Sequence, residues 1–279
     1  MTKQVSRREF LGLAGMTTVA GGLTCSGGFI GYITLRIINR EYTRAAAPDA
    51  APALAPTATS TPASTRPSAV NATVKQIDRP AITPRAEWGA LEPDHEAVNE
   101  NGFYSLDNVE GWREYEGDLR DIYRTVVVHH AAEYVTDDVT TMQYIQLLHM
   151  GQRQWADIGY HFGVGRTGQI FEGRDLAARG AHTEGYNTGS VGVVFLGHFE
   201  EYAPTVEQLD AGRRLIDWLA LRLELTHLAG HHDFNDFTEC PGKYMMPSLL
   251  LLADSAGLIY GTGGYQPPPE QLITPAPEG

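Results

Sequence analysis

The sequence predicts an α/β domain built on a mixed central β-sheet flanked by helices. Three observations lead there: the valine run within Tyr123–His130 (YRTVVVHH), a second apolar run at Val191–Phe199 (VGVVFLGHF), and helix-periodic segments lying between and after them. Short runs rich in β-branched residues suit sheet positions covered on both faces. Strands that alternate with helices, instead of grouping together, mark the α/β class.

Taken in order, Ile82–Ala90 (ITPRAEWGA) opens the domain, and residues 91 to 121, polar with Gly and Asn, form a long surface excursion. Tyr123–His130 is the first strand. Asp137 or Asp138 caps a helix running to about Met150, with Val139, Met142, Ile145 and Leu148 or His149 at helical spacing. Tyr160–Ile170 and Phe171–Arg174 give two short strands around Arg166-Thr167-Gly168, a hairpin signal. Val191–Phe199 is the next strand. Thr205 then starts a long helix, with Gln208 completing a capping-box pattern and Leu209, Leu215, Ile216 and Leu219 on one face. Leu228–His232 is a short strand or turn, and Pro247–Ala256 a last apolar helix. The domain spans 79–262, and a Pro-rich tail, expected to be disordered, follows over 263–279.

Ahead of the domain lie two segments of different character. Ser6-Arg7-Arg8-Glu9-Phe10-Leu11 resembles a twin-arginine export signal. From about Phe10 to Ile38 the chain is apolar and Gly-rich, with no charge between Glu9 and Arg36. About 20 such residues suffice to cross a bilayer. Residues 1–42 therefore read as a signal or membrane anchor, and a retained anchor is favoured over cleavage, because the one good exit (Ala45-Ala46-Ala47) lies well past the apolar run. Residues 43–78, dominated by Ala, Pro, Thr and Ser, have too few large apolar groups to offset the entropy of ordering and read as an extended tether. The expected location is outside the cytoplasm, on the outer face of the cell membrane or secreted if the segment is removed.

The formal net charge is -13, which repels phosphate backbones and argues against a nucleic-acid partner. Of two cysteines, Cys25 falls in the apolar N-terminal stretch and Cys240 in the domain, so no disulfide framework is expected. A lone Cys is ordinarily a small buried hydrophobe, but the neighbours of Cys240 suggest more. Among ten histidines, His129-His130 end an apolar strand, His231-His232 follow Leu228-Ala229-Gly230, and Cys240 comes nine residues after His231. Two imidazoles and a thiolate suit zinc, and three protein ligands leave a fourth position for water, the catalytic pattern. At this level either histidine of the His231-His232 pair can serve.

The stretch from Ile82 to about Leu252 resembles the peptidoglycan recognition protein and type 2 N-acetylmuramoyl-L-alanine amidase family. The resemblance is carried by Thr83-Pro84-Arg85-Ala86-Glu87-Trp88-Gly89, Val128-His129-His130, Asp157-Ile158-Gly159-Tyr160-His161-Phe162, Glu172-Gly173-Arg174, Gly180-Ala181-His182-Thr183, Gly185-Tyr186-Asn187, Ser190-Val191-Gly192-Val193, Gly230-His231 and Thr238-Glu239-Cys240-Pro241-Gly242, in the family's order. It implies a mixed sheet with one zinc ion at the floor of a substrate groove, and hydrolysis of the amide between N-acetylmuramic acid and the L-alanine that begins the peptidoglycan stem peptide. A non-catalytic peptidoglycan-binding module is the alternative. The zinc ligands map to His129, His231 and Cys240. His232 stays open as a ligand, because the loop to Cys240 looks one residue longer than the commonest form. Tyr160 matches the family's catalytic Tyr, against the bland reading of a Tyr packed at a strand start. Thr238 stands where some relatives have a Lys that assists catalysis, and the resemblance makes it a second catalytic candidate, able to donate a hydrogen bond but supplying no charge. The strand holding Val193-Val194-Phe195 has no carboxylate where some amidases carry a Glu. His161, Arg174, His182, Tyr186 and Asn187 are expected to line the groove, with Arg174 facing a substrate carboxylate or else making a surface ion pair.

Overall fold

Thr125–His130 forms strand β1, and all six of its residues are buried. That is the environment its valine run requires, because β1 lies in the interior of the sheet with both faces covered. The structure, a computed structural model, describes residues 77–266. The segments expected to be an export signal or anchor, and all but the last two residues of the expected tether, lie outside the described residues, as does the chain from 267 onward. No helix among the described residues is long and apolar enough to cross a membrane.

The remaining strands are β2 (Phe162–Val164), β3 (Ile170–Glu172), β4 (Ser190–Phe195), β5 (His227–Gly230) and β6 (Ile259–Tyr260). Their spatial order is β3-β2-β4-β1-β5-β6. Only the β2–β3 hairpin is antiparallel; β2–β4, β4–β1, β1–β5 and β5–β6 are parallel. The sheet is mixed, as expected. The strand predicted to reach Phe199 stops at Phe195, where its partner β1 ends at His130. The two-residue β6 had no sequence signal of its own.

The helices are α1 (Arg85–Trp88), α2 (Leu119–Ile122), α3 (Asp138–Leu147), α4 (Val206–Leu223), α5 (His231–Phe234) and α6 (Met246–Ala256). Asp137 caps α3 by accepting from the Thr140 amide. A π-helical turn, Leu148–Gln152, then extends α3 past the predicted end. Thr205 caps α4 by accepting from the Gln208 amide. The reciprocal half of the capping box is missing: the Gln208 side chain donates instead to the Val164 and Leu196 carbonyls at 2.8 and 3.0 Å, tying α4 to the sheet.

Alternation along the strands splits the core. Val126 and Val128 of β1 and Val191, Val193 and Phe195 of β4 pack with Leu215, Ile216 and Leu219 of α4 and Leu249 and Leu252 of α6. Each such buried side chain is worth roughly 1.5–3 kcal/mol. On the opposite face, Val194 and Leu196 pack with Trp88, Met142, Ile145, Ile158 and Phe171. His129 points to this second face, where the sheet meets the groove.

Residues 91 to 121, expected as a surface excursion, are pinned to the domain and end in α2. Ala97 and Trp112 pack with Ala156 and Ala178, and a 3-10 turn at Val98–Glu100 carries the buried Glu100. The tail expected after residue 262 is engaged at its start, where the Tyr265 ring lies 5.0 Å from that of Tyr186.

Candidate metal centre and groove

β1 ends at His129 and His130, and parallel β5 beside it ends at Gly230. His231 follows as the first residue of α5. Asp233 accepts from the Gly230 amide and from the Tyr260 hydroxyl, both at 2.8 Å, which fixes the turn from β5 into α5. Successive residues on a helical turn diverge by about 100°, so the two adjacent histidines separate. His231 faces His129, with ring centroids 4.7 Å apart. His232 is exposed, with its Nδ1 2.6 Å from the Thr238 carbonyl.

Cys240 comes from the loop after α5. Its amide donates to the Thr238 hydroxyl at 3.2 Å, its carbonyl accepts from the His232 amide at 2.7 Å, and its Sγ accepts from the His130 amide at 3.4 Å. Gly242 follows at φ 97°, with the Phe199 backbone where a Cβ would stand, so the chain turns under the site only with glycine there. His129, His231 and Cys240 each bring one donor atom into a set lying within 4.8 Å of one another. Among the described residues this is the one group of three or more His, Cys or carboxylate side chains that could hold a metal ion.

The electrostatics suit a soft divalent cation. Burial pushes the Cys240 thiol up to about 12, so a thiolate here needs an adjacent positive charge, which a bound metal supplies. Burial keeps His129 well below the ordinary histidine range and lowers His231 to about 4, so both present neutral imidazoles with a lone pair to give.

His182 was expected to line the groove, and it does so while also standing behind His129. Its Nδ1 lies 3.1 Å from His129 Nε2 and 2.9 Å from the Thr183 hydroxyl, and its Nε2 lies 3.4 Å from the Ser190 carbonyl. A carbonyl only accepts, which places the His182 proton on Nε2. Its Nδ1 then accepts from His129 Nε2, leaving His129 Nδ1, 3.6 Å from Cys240 Sγ, as the free lone pair. Gly192 lets this ring lie against β4, since a Cβ there would strike it. Asn187 Oδ1 accepts from the amides of His182 and Thr183 at 2.7 Å each, holding the loop that carries them.

The groove above has a volume of about 790 Å³ and includes His149, Arg153, Trp155, Tyr160, His182 and His231 among its walls. The Tyr160 ring lies 5.1 Å from that of His129, and burial raises its phenol, which stays protonated. Thr238 does not reach the groove wall and serves the Cys240 amide instead. Tyr186 likewise sits off the groove, its ring tilted against that of Phe234 at 4.8 Å.

Two expected groove residues are enclosed. His161 is fully buried: its Nδ1 accepts from the Gly192 amide at 2.9 Å, and its Nε2 donates to the Ala178 carbonyl at 3.1 Å. Arg174 is also buried, and its ion-pair partner is Glu100 in the interior, at 2.6 and 2.9 Å, not a group at the surface. The sequence reading gave His149 and Glu100 no role. His149 lines the groove while its Nδ1 accepts from the Gly159 amide; Glu100 lies in a polar loop with no periodicity to mark it.

Known proteins resemble this chain in sequence and in fold. Residues 119–243 match the N-acetylmuramoyl-L-alanine amidase domain family. Peptidoglycan-recognition protein SD of Drosophila melanogaster is 34% identical over 180 residues, covering 62% of this chain and 86% of the relative. A Drosophila PGRP-LB mutant solved in complex with tracheal cytotoxin aligns at TM-score 0.50 with 28% identity, over 64% of this chain and 96% of that one. Human PGRP-IBETAC, solved with glycosamyl muramyl pentapeptide, aligns at TM-score 0.50 with 25% identity, over 63% and 96%. The chain belongs to the family of peptidoglycan recognition proteins and type 2 N-acetylmuramoyl-L-alanine amidases.

Proposed function

We propose that this protein hydrolyses the amide bond joining N-acetylmuramic acid to the L-alanine of the peptidoglycan stem peptide, with one zinc ion held by His129, His231 and Cys240. The observation that carries the reading is the convergence of those three donors within 4.8 Å of one another, with His231 on the groove wall that Tyr160 also lines. A zinc ion bound there would bring the pKa of its water toward neutrality and polarise the substrate carbonyl.

The chain's own residues do the rest. Tyr160, kept protonated by burial, donates a hydrogen bond to the oxygen that gains charge when the amide carbonyl is attacked. His182 fixes the tautomer and orientation of His129. Thr238 holds the Cys240 amide. The strand beside His129 offers no carboxylate: its register partner is Val194, packed in the apolar cluster with Trp88 and Ile158. Among the described residues, no carboxylate beside His129 is therefore placed to act as general base, and Tyr160 acts there as a hydrogen-bond donor. The N-terminal segment, with its paired arginines, would carry this activity across the cell membrane and tether it to the outer face.

Turnover of purified peptidoglycan, read together with zinc content, tests the reading. Wild type should release stem peptides and hold one zinc per chain, and Cys240→Ala should lose both, with activity down about a thousandfold or more. Tight peptidoglycan binding by a wild type that holds no zinc and releases no peptide would make the protein a recognition module instead.

A further inference from the structure

An aromatic cluster borders the groove without taking part in the metal centre. The Tyr186 ring lies 4.8 Å from that of Phe234 and 5.0 Å from that of Tyr265, and the Phe234 and Tyr265 rings are 5.8 Å apart. The three come from separate parts of the chain: the loop before β4, the end of α5 and the segment after β6. None belongs to the groove wall, but two of their chain neighbours do, Gly185 beside Tyr186 and Asn235 beside Phe234. The Tyr265 hydroxyl donates to the Gly185 carbonyl at 3.2 Å, which joins the cluster to the rim. α5 begins at the candidate metal ligand His231 and ends at Phe234. Residues three apart on a helical turn are surface neighbours, so the cluster starts one turn from the metal centre.

All three rings are half-buried, which leaves part of each to solvent. Tyr265 lies beyond residues 119–243, the stretch that matches the amidase domain family, and its backbone is fastened to the sheet. The Gly261 amide donates to the Leu228 carbonyl at 2.8 Å, the Tyr265 amide donates to the Thr262 carbonyl at 3.0 Å, and Gly264 lies where a Cβ would strike the His227 ring. A ring held in place before its ligand arrives loses little entropy on binding. The amide proposed to be cleaved joins a sugar to a peptide, and in the cell wall that sugar is one unit of a glycan chain. Such a chain cannot end within a groove of about 790 Å³ and must pass over its rim. Uncharged aromatic faces suit the C–H faces of an N-acetylhexosamine, while the tyrosine hydroxyls, with Asn235 and Glu184 on the adjoining wall, offer partners to its hydroxyl and acetamide groups.

We propose that Tyr186, Phe234 and Tyr265 form a glycan-binding subsite at the groove rim, which seats an N-acetylhexosamine next to the muramic acid and makes polymeric glycan the preferred substrate. The proposal rests on the amidase reading above. Initial rates on two soluble substrates with the same stem peptide test it, one built on a single muramic acid and one on a tetrasaccharide of the glycan. Wild type should favour the tetrasaccharide by about tenfold in kcat/KM. Tyr265→Ala should abolish that preference through KM, with zinc content as in wild type, and Tyr265→Phe, which keeps the ring, should retain most of it. Tyr186→Leu, which keeps the bulk but not the ring, should behave as Tyr265→Ala does. Equal kcat/KM on the two substrates in wild type, or a preference surviving in both ring-deleting variants, would overturn the proposal. So would a Tyr265→Ala enzyme faster on both substrates alike, which would make Tyr265 a residue that narrows the rim. If wild type cleaves neither substrate, the hydrolase reading has failed, and equilibrium binding of a peptide-free tetramer of N-acetylglucosamine decides the subsite by itself. Binding by wild type that weakens about tenfold in Tyr265→Ala upholds it, and no binding by wild type, or equal binding by both, overturns it.

Discussion

Two buried polar clusters lie under the groove, one around His129 and one around Arg174, and they differ in what they leave unspent. At Arg174 every donor has an internal acceptor and the charge is matched by Glu100. At His129 the partners on one side, His182 and Thr183, are satisfied, and on the other three donor atoms face one another. Both clusters contain motif residues, and both are enclosed. Burial alone does not separate a structural cluster from a chemical one; residual coordinating capacity does.

The largest way to break this contrast is at Arg174. Arg174→Met strands the Glu100 carboxylate in the interior. Removing one partner of a buried ion pair costs about 3–5 kcal/mol, whereas replacing both with apolar groups of similar volume is often close to neutral. Urea denaturation should show Arg174→Met strongly destabilised and the double variant Glu100→Leu with Arg174→Met recovering most of the loss. A cost under about 1 kcal/mol for the single variant would show that water reaches Glu100, and the claim of a closed cluster would go with it. Next in size is Tyr160→Phe. It removes one hydroxyl at the groove wall and should lower kcat by about a hundredfold while zinc content stays at the wild-type level. Loss of zinc together with activity would mean that Tyr160 supports the metal cluster and not the reacting carbonyl.

How far the sequence reveals each cluster follows from how local its causes are. The strands were legible because the valine run of β1 and the apolar run of β4 encode sheet burial in consecutive residues. β4 nevertheless ends at Phe195 and not Phe199, because a strand lasts only as long as its neighbour, a fact held in β1. The divergence of His231 and His232 depends on α5 beginning at His231, directly after Gly230, which the spacing of the histidines does not state. The loop that looked one residue longer than the commonest form closes in an exposed turn, with Phe237 85% exposed, and leaves Cys240 facing His129. Arg174 was the hardest to read. Its motif gives a position on the chain, but its partner comes from Glu100, 74 residues earlier, in a polar loop that carries no pattern. Pairing across that distance is a property of the fold, and so the residue expected in the groove turned out to be sealed under it.

The smallest of the expected effects separates positioning from coordination within the His129 cluster. His182 is not among the three convergent donors, yet it fixes which nitrogen of His129 carries the proton. Its own orientation is set by Ser190 and by the Asn187-held loop. His182→Ala leaves the three donors in place and frees the His129 ring to change tautomer or rotate. Loss of such a supporting hydrogen bond typically weakens metal binding by about 10- to 100-fold. Zinc competition against a chelator should reveal that weakening, and saturating zinc should restore most of the activity of His182→Ala. Cys240→Ala should not recover under the same conditions, because what it lacks is a donor atom and not the orientation of one. If His182→Ala binds zinc as tightly as wild type but stays inactive when loaded, His182 acts on the substrate from the groove wall, and the orientation of His129 must come from Thr183 alone.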